Sequence, residues 1–129
     1  MAVSEELHKK LDEIFSDDEC ISHFYHQIVS ICLQALVADK FKKGEMSEEE
    51  YQKWSLKPPA IKLLEPYGIT YQQYNALLAG KGTSKTFVTF IRVMERHGFH
   101  FWRLFYSEKL IDLTLNTFKV RKSFQEKFN

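Results

Sequence analysis

The side chains of this 129-residue chain with the clearest capacity for chemistry fall in three places. Cys20, His23 and His26 recur at i, i+3 and i+6, a spacing that sets zinc-type donors along one helical face. A closed structural zinc site takes four ligands, and no fourth donor stands at a motif spacing, so no metal is assigned. Carboxylates cluster at 17–19 and again between Glu45 and Glu50, both suited to solvated helix starts. Tyr71, Gln72, Gln73 and Asn75 form the third group. Gln and Asn amides make bidentate hydrogen bonds with an adenine edge, and a B-form major groove admits a helix carrying them.

Other chemistries find no support. Neither cysteine carries the local signature of a nucleophile, and the serines stand at caps or in mid-helix. Gly80-Lys81-Gly82 follows no strand, so it is not a phosphate-cradling loop. No catalytic residue and no cofactor are assigned, and the chain reads as a non-enzyme. His97 and His100 bracket Gly98, where a histidine suits the negative end of a helix. The Phe-rich stretch 87–105 has helical spacing at Phe87, Phe90, Ile91 and Met94, which indicates core packing rather than base-stacking platforms.

The elements that must position these groups are all helical. Gly and Pro are scarce (five and three), hydrophobic residues reach 44% and aromatics 15%, which excludes a disordered chain and favours an all-α fold. Ser4 to about Phe15 forms an amphipathic helix with Ser4 as cap. The acidic cluster 16–19 starts a second helix that runs to about Lys43 and stops at Gly44; its wide apolar face makes it the central one. Ser47 and Glu50 open a third with a capping-box spacing, closed before Pro58-Pro59. Residues 59–67 form one helix of about two turns, and 71–79 the next, with Thr70 and Gln73 as a second capping box and Gly80 as stop. Thr83 or Ser84 caps a longer helix to His97. One or two helices cover 101–127. Tyr74, Leu77, Phe87, Ile91 and Met94 are expected to be buried, from their three- and four-residue spacing.

A net charge of +1 conceals an asymmetry. Residues 1–56 carry −6, residues 57–103 carry +5, and residues 104–129 carry +2. The basic surplus therefore coincides with the short helices in the middle of the chain, as an anionic partner requires. Cys20 and Cys32 lie roughly 18 Å apart on one helix, too far for a disulfide, so reduced thiols and a cytoplasmic location are expected. The N-terminus has no signal-type apolar core and no run is read as a membrane span.

On these residues the stretch Ile61 to Gly98 resembles a known family. The arrangement Leu63-Leu64, Tyr67-Gly68-Ile69-Thr70, Tyr74, Leu77, Gly80-Lys81, Ser84, Phe87, Ile91, Met94, Gly98 is similar to the lambda-repressor or Cro-type helix-turn-helix DNA-binding domain, over residues 59–104. The resemblance implies a compact bundle of about five helices. The helix before Gly68 would cross the DNA backbone, the one after it would be the recognition helix, and Gly80-Lys81 would turn into a fourth, packing helix. Four features depart from the family's pattern. Leu64 stands where a small Ala is usual and Ala60 where Gln is usual. Pro66 shortens the backbone-crossing helix, and the recognition helix has no Lys or Arg and keeps Leu78 outward.

The expectation is thus one domain, with an acidic helical extension (1–56), a helix-turn-helix core (57–104) and a helical tail (105–129). Its function would be transcriptional regulation through duplex DNA. Tyr71, Gln72, Gln73 and Asn75 would meet base edges, and Lys57, Lys62, Lys81, Ser84, Lys85 and Arg92 would meet phosphates. A homodimer is expected from the apolar surplus of Trp102, Leu104, Phe105, Leu110, Ile111, Leu113, Leu115, Phe118 and Phe124. The alternative is a protein-binding adaptor or inhibitor on the same fold, contacting its partner through the acidic N-terminal half.

Overall fold

The computed structural model describes residues 4–81 and 84–128, without the side chains of Ser84, Phe101, Trp102 and Phe128. Helices account for 82% of the described residues, and no strand occurs among them, so the fold is all-α. In chain order the elements are α1 (Glu5–Phe15), α2 (Asp18–Lys42), α3 (Glu48–Leu56), α4 (Ala60–Leu64), a 3-10 turn (Glu65–Tyr67), α5 (Tyr71–Leu78), α6 (Ser84–Arg96), a second 3-10 segment (Phe101–Tyr106) and α7 (Glu108–Phe128).

The caps explain most of the boundaries. Ser4 Oγ accepts from the Leu7 N–H at 3.2 Å, and the Asp17 carboxylate accepts from the N–H groups of Glu19 and Cys20, satisfying donors that the first turn leaves open. Ser47 does the same for Glu50 at 3.1 Å. The stretch expected as one helix over 59–67 is instead α4 followed by a 3-10 turn. Pro66 has no N–H to donate back along a helix, so the chain tightens there.

Helix α2 is the centre of the molecule. Cys20, Phe24, Ile28, Val29, Cys32, Leu33, Leu36 and Val37 are buried along it, and α1, α3, α5, α7 and the second 3-10 segment pack around it. Helix α7 runs antiparallel to it, since Thr114 bonds Gln27 and, further along, Arg121 meets His23. Phe24 sits at 0% exposure with edge-on rings from Phe15 and Phe105, centroids 6.3 and 5.7 Å away. The reading that no run suits a membrane span is corrected here: α2 is long and apolar enough to cross a bilayer by length and composition. Eight of its apolar residues, from Cys20 to Val37, are instead buried in the core against the neighbouring helices.

Both cysteines are free and buried. Burial pushes the Cys32 thiol up to about 12, and burial with the nearby Asp17 and Glu13 charges raises Cys20 as well.

Candidate nucleic-acid interface

The unit singled out in the sequence is built from helices too short to hold themselves. Isolated helices below about 12 residues are marginal in water, yet α4 has five residues and α5 eight. Buried apolar anchors compensate: Leu63 and Leu64 on α4, Ile69 in the turn, Leu77 on α5. Gly68 takes φ +84° and reverses the chain after the 3-10 turn, a left-handed conformation that costs an L-residue with a Cβ. Thr70 then caps α5 with a complete capping box. Its hydroxyl accepts from the Gln73 N–H at 3.2 Å, and Gln73 Oε1 accepts from the Thr70 N–H at 2.9 Å.

At the far end of α5, Gly80 has φ +73° and lies flat against α2. A Cβ there would stand 2.5 Å from Ile21 Cγ2 and 3.3 Å from the Tyr25 ring. Beside it the Ser22 hydroxyl donates to the Leu78 carbonyl at 3.4 Å. The end of α5 is therefore fixed on α2 and its beginning by the capping box, so the outward direction of the helix is set at both ends.

Tyr71 (65% exposed), Gln72 and Asn75 face solvent. At 100° per residue they span an arc of about 100°, which is one face. Gln73 leaves that group. It is half-buried, and the carbonyl oxygen that would accept from adenine is occupied by the Thr70 N–H. Tyr74, Phe87 and Ile91, expected in the core, are only half-buried, whereas Leu77 and Met94 are sealed. The half-buried three stand at the flanks of their helical stripes, where side chains reach both core and surface.

The cations divide. Lys85, Arg92 and Arg96 share the exposed face of α6 with Val88 and Glu95, and Lys81 is exposed just after Gly80. Among the described residues no carboxylate lies within ion-pair distance of Lys57, Lys81, Lys85 or Arg92. Lys62 is drawn to α3, its Nζ 5.2 Å from the centre of the Trp54 ring, and Lys57 ends α3. The side chain of Ser84, and the Thr83 alternative for the cap, lie outside the described residues.

A polar tie invisible in the sequence supports the unit from behind. His97 Nδ1 lies 2.6 Å from Asp39 Oδ2 on α2, Tyr67 Oη lies 3.3 Å from His97 Nε2, and Lys43 Nζ lies 2.9 Å from the same Asp39 oxygen. In the neutral ring, Nδ1–H donates to the carboxylate and Nε2 accepts from the tyrosine hydroxyl. Lys43 and then His97 hold the Asp39 carboxyl below the usual carboxylate range. Three elements meet at this point: α2, the 3-10 turn before Gly68, and the residue closing α6. His97 is thus committed to a side-chain partner 58 positions away rather than to capping its own helix, and a separation that long leaves no periodic signal.

Cys20, His23 and His26 do not converge. Cys20 is buried in the core, while His23 and His26 open onto the groove between α2 and α7. No group of three metal-type ligands occurs among the described residues. No protein-family model, no curated protein and no solved structure matches this chain.

Proposed function

We propose that this protein binds duplex DNA through α5 and regulates transcription from the site it occupies. The observation that carries the reading is the arc of Tyr71, Gln72 and Asn75, exposed on a helix fixed at both ends, with the unpaired cations Lys81, Lys85 and Arg92 following it. Gln72 and Asn75 meet base edges, Tyr71 meets the backbone or a thymine methyl, and the cations meet phosphates. Gln73 serves the helix start and acts on DNA only by holding α5 in shape.

Selection of a preferred site from random duplexes, followed by titration across salt, tests this. Replacing Lys81 and Lys85 together by Ala should weaken binding to all sequences alike and flatten the salt slope by about two. Replacing Gln72 or Asn75 by Ala should cut the preference for the selected site by roughly tenfold while leaving non-specific binding in place. A protein that retards no duplex at low salt has another function.

Dimerisation belongs to the same proposal, on a smaller surface than the sequence suggested. Leu110, Ile111 and Leu115 are buried within the chain, and Leu104, Phe105 and Phe118 are partly so. The side chain of Trp102 lies outside the described residues. Leu113 (54% exposed), Val120 (69%) and Phe124 (64%) remain on the outer face of α7, one stripe at heptad-like spacing that a two-fold partner would cover. Light scattering at high concentration that returns the monomer mass would remove this part.

A second reading has its own observation. Helix α3 has no fully buried residue, shows Glu48, Glu49 and Glu50 to solvent, and ends in Leu56 at 86% exposure. An acidic edge with an apolar tip suits a basic protein partner, which would make the chain an adaptor or inhibitor. Leu56→Asp would abolish that contact and leave DNA binding untouched.

A further inference from the structure

A groove of about 580 Å³ opens between the start of α2 and the last turns of α7, within the size range of small-molecule sites. Ser22, His23 and His26 line one wall; Phe118, Arg121 and Lys122 line the other. Because α2 and α7 are antiparallel, Arg121 meets His23 and Phe118 falls beside His26. The groove thus sets two cations beside the Phe118 ring and the two imidazoles.

Arg121 donates to His23 Nε2. A guanidinium has five N–H donors and accepts nothing, so four remain for a ligand oxygen. Lys122 Nζ stands 5.8 Å from the centre of the Phe118 ring, over the same pocket. Two carboxylates oppose these charges. Asp17 spends its own on the N–H groups of Glu19 and Cys20 at the start of α2, leaving the exposed Glu19 at the outer end of the groove. Burial, and then Arg121 and His26, lower the His23 pKa against the smaller pull of Glu19, which favours the neutral ring.

We propose that this groove binds a small anion bearing a flat apolar group, an aryl carboxylate or aryl phosphate, with its charge at Arg121 and its ring against Phe118. Bidentate capture by a guanidinium suits either anion. An anion placed there offsets the Arg121 charge, one of the causes that lower the His23 pKa, so the ring should titrate higher with the ligand bound while burial still opposes its charged form. The site also touches α5: Ser22 lines the groove and donates to the Leu78 carbonyl at the end of that helix. On the DNA-binding reading, the ligand is therefore an effector that alters how α5 is presented; ligand capture itself does not depend on that reading.

The test uses the full chain without DNA, following the His23 and His26 imidazole resonances during titration with phenyl phosphate, inorganic phosphate, benzyl alcohol and benzylamine. Phenyl phosphate should shift both rings, raise the His23 pKa and bind most tightly, inorganic phosphate more weakly, with benzyl alcohol and benzylamine inert. Arg121→Ala should weaken phenyl phosphate by roughly tenfold or more, as loss of a charge-assisted pair does. Arg121→Lys should restore part of the affinity and Glu19→Gln should tighten it. Equal shifts with benzyl alcohol, equal affinity for inorganic and phenyl phosphate, or an Arg121→Ala variant of wild-type helicity that binds undiminished would each overturn the proposal. If phenyl phosphate binds as expected and leaves duplex binding unchanged, the site stands and its effector role falls.

Discussion

The α1–α2–α7 bundle and the stretch from α4 to α6 keep their shape by different means. In the bundle, helices of 25 and 21 residues interlock along buried faces, and the long α2 supplies eight buried side chains. Between α4 and α6, helices of five and eight residues depend on turns, caps and cross-chain polar ties. The bundle fixes a core. Helix α5 fixes a direction, because it is held at both ends, by its capping box and by Gly80 against α2. A site that must present three side chains in one arc gains from the second kind of construction.

The bundle half of that contrast breaks most severely at Phe24. Phe24→Ala empties a sealed aromatic site and should cost about 3–5 kcal/mol, measured by urea unfolding. Because α5 rests on α2, both regions should melt in one transition; separate transitions would show two independent units.

Gly80 and Gly68 sharpen the contrast. Both have positive φ, so an Ala at either pays the left-handed penalty of about 1–2 kcal/mol. Only at Gly80 does the new methyl also strike α2, at Ile21 and Tyr25, whereas nothing lies within 4 Å at Gly68. Gly80→Ala should be clearly the more destabilising in the same urea series, and equal losses would mean that α5 is not seated on α2.

Much of this was legible beforehand, for a physical reason. Caps and stops act within four residues, so Ser4, Ser47, Thr70 with Gln73, and Gly44 as the stop of α2 could be read directly from the chain, while the acidic cluster 16–19 marked the start of α2 without singling out Asp17 as its cap. The amphipathic spacing likewise located α2 as the central helix. What escaped were contacts that no local rule reports: Asp39 with His97, Lys62 on Trp54, and the groove joining α2 to α7. The candidate site was legible as a helix and, at Tyr71, Gln72 and Asn75, as an exposed face; Gln73 is the exception. The capping-box spacing already gave Gln73 a role at the helix start, and the geometry sets it apart from the exposed arc, half-buried with its side-chain oxygen on the Thr70 N–H.

Smaller effects should separate holding from reading. Thr70→Ala and Gln73→Ala should each lower stability by about 0.5–2 kcal/mol, the usual range for a lost cap, with site preference retained. Gln72→Ala and Asn75→Ala should stay within about 0.5 kcal/mol of wild type while the preference falls. Thermal melts beside competition binding check both pairs; a swap of the two patterns would reverse the roles.

Acid provides a further comparison. The folded Asp39 pKa is depressed, chiefly by Lys43 and His97. Its contribution to stability is therefore full above the ordinary carboxylate range and is lost as pH falls through the folded value. Asp39→Asn should be less stable than wild type at neutral pH and should lose less on acidification. Parallel curves of urea midpoint against pH would show that the tie carries no net weight.

The sealed thiols have a practical corollary. At neutral pH a thiol whose pKa lies near 12 holds almost no thiolate, and Cys20 shares both the burial and the upward shift. The wild-type chain is in effect a silent background for thiol chemistry. A cysteine introduced at the exposed Asn75 would be the one that reacts, so a spin label or fluorophore could report from the outward face of α5 without first stripping the native cysteines from the core.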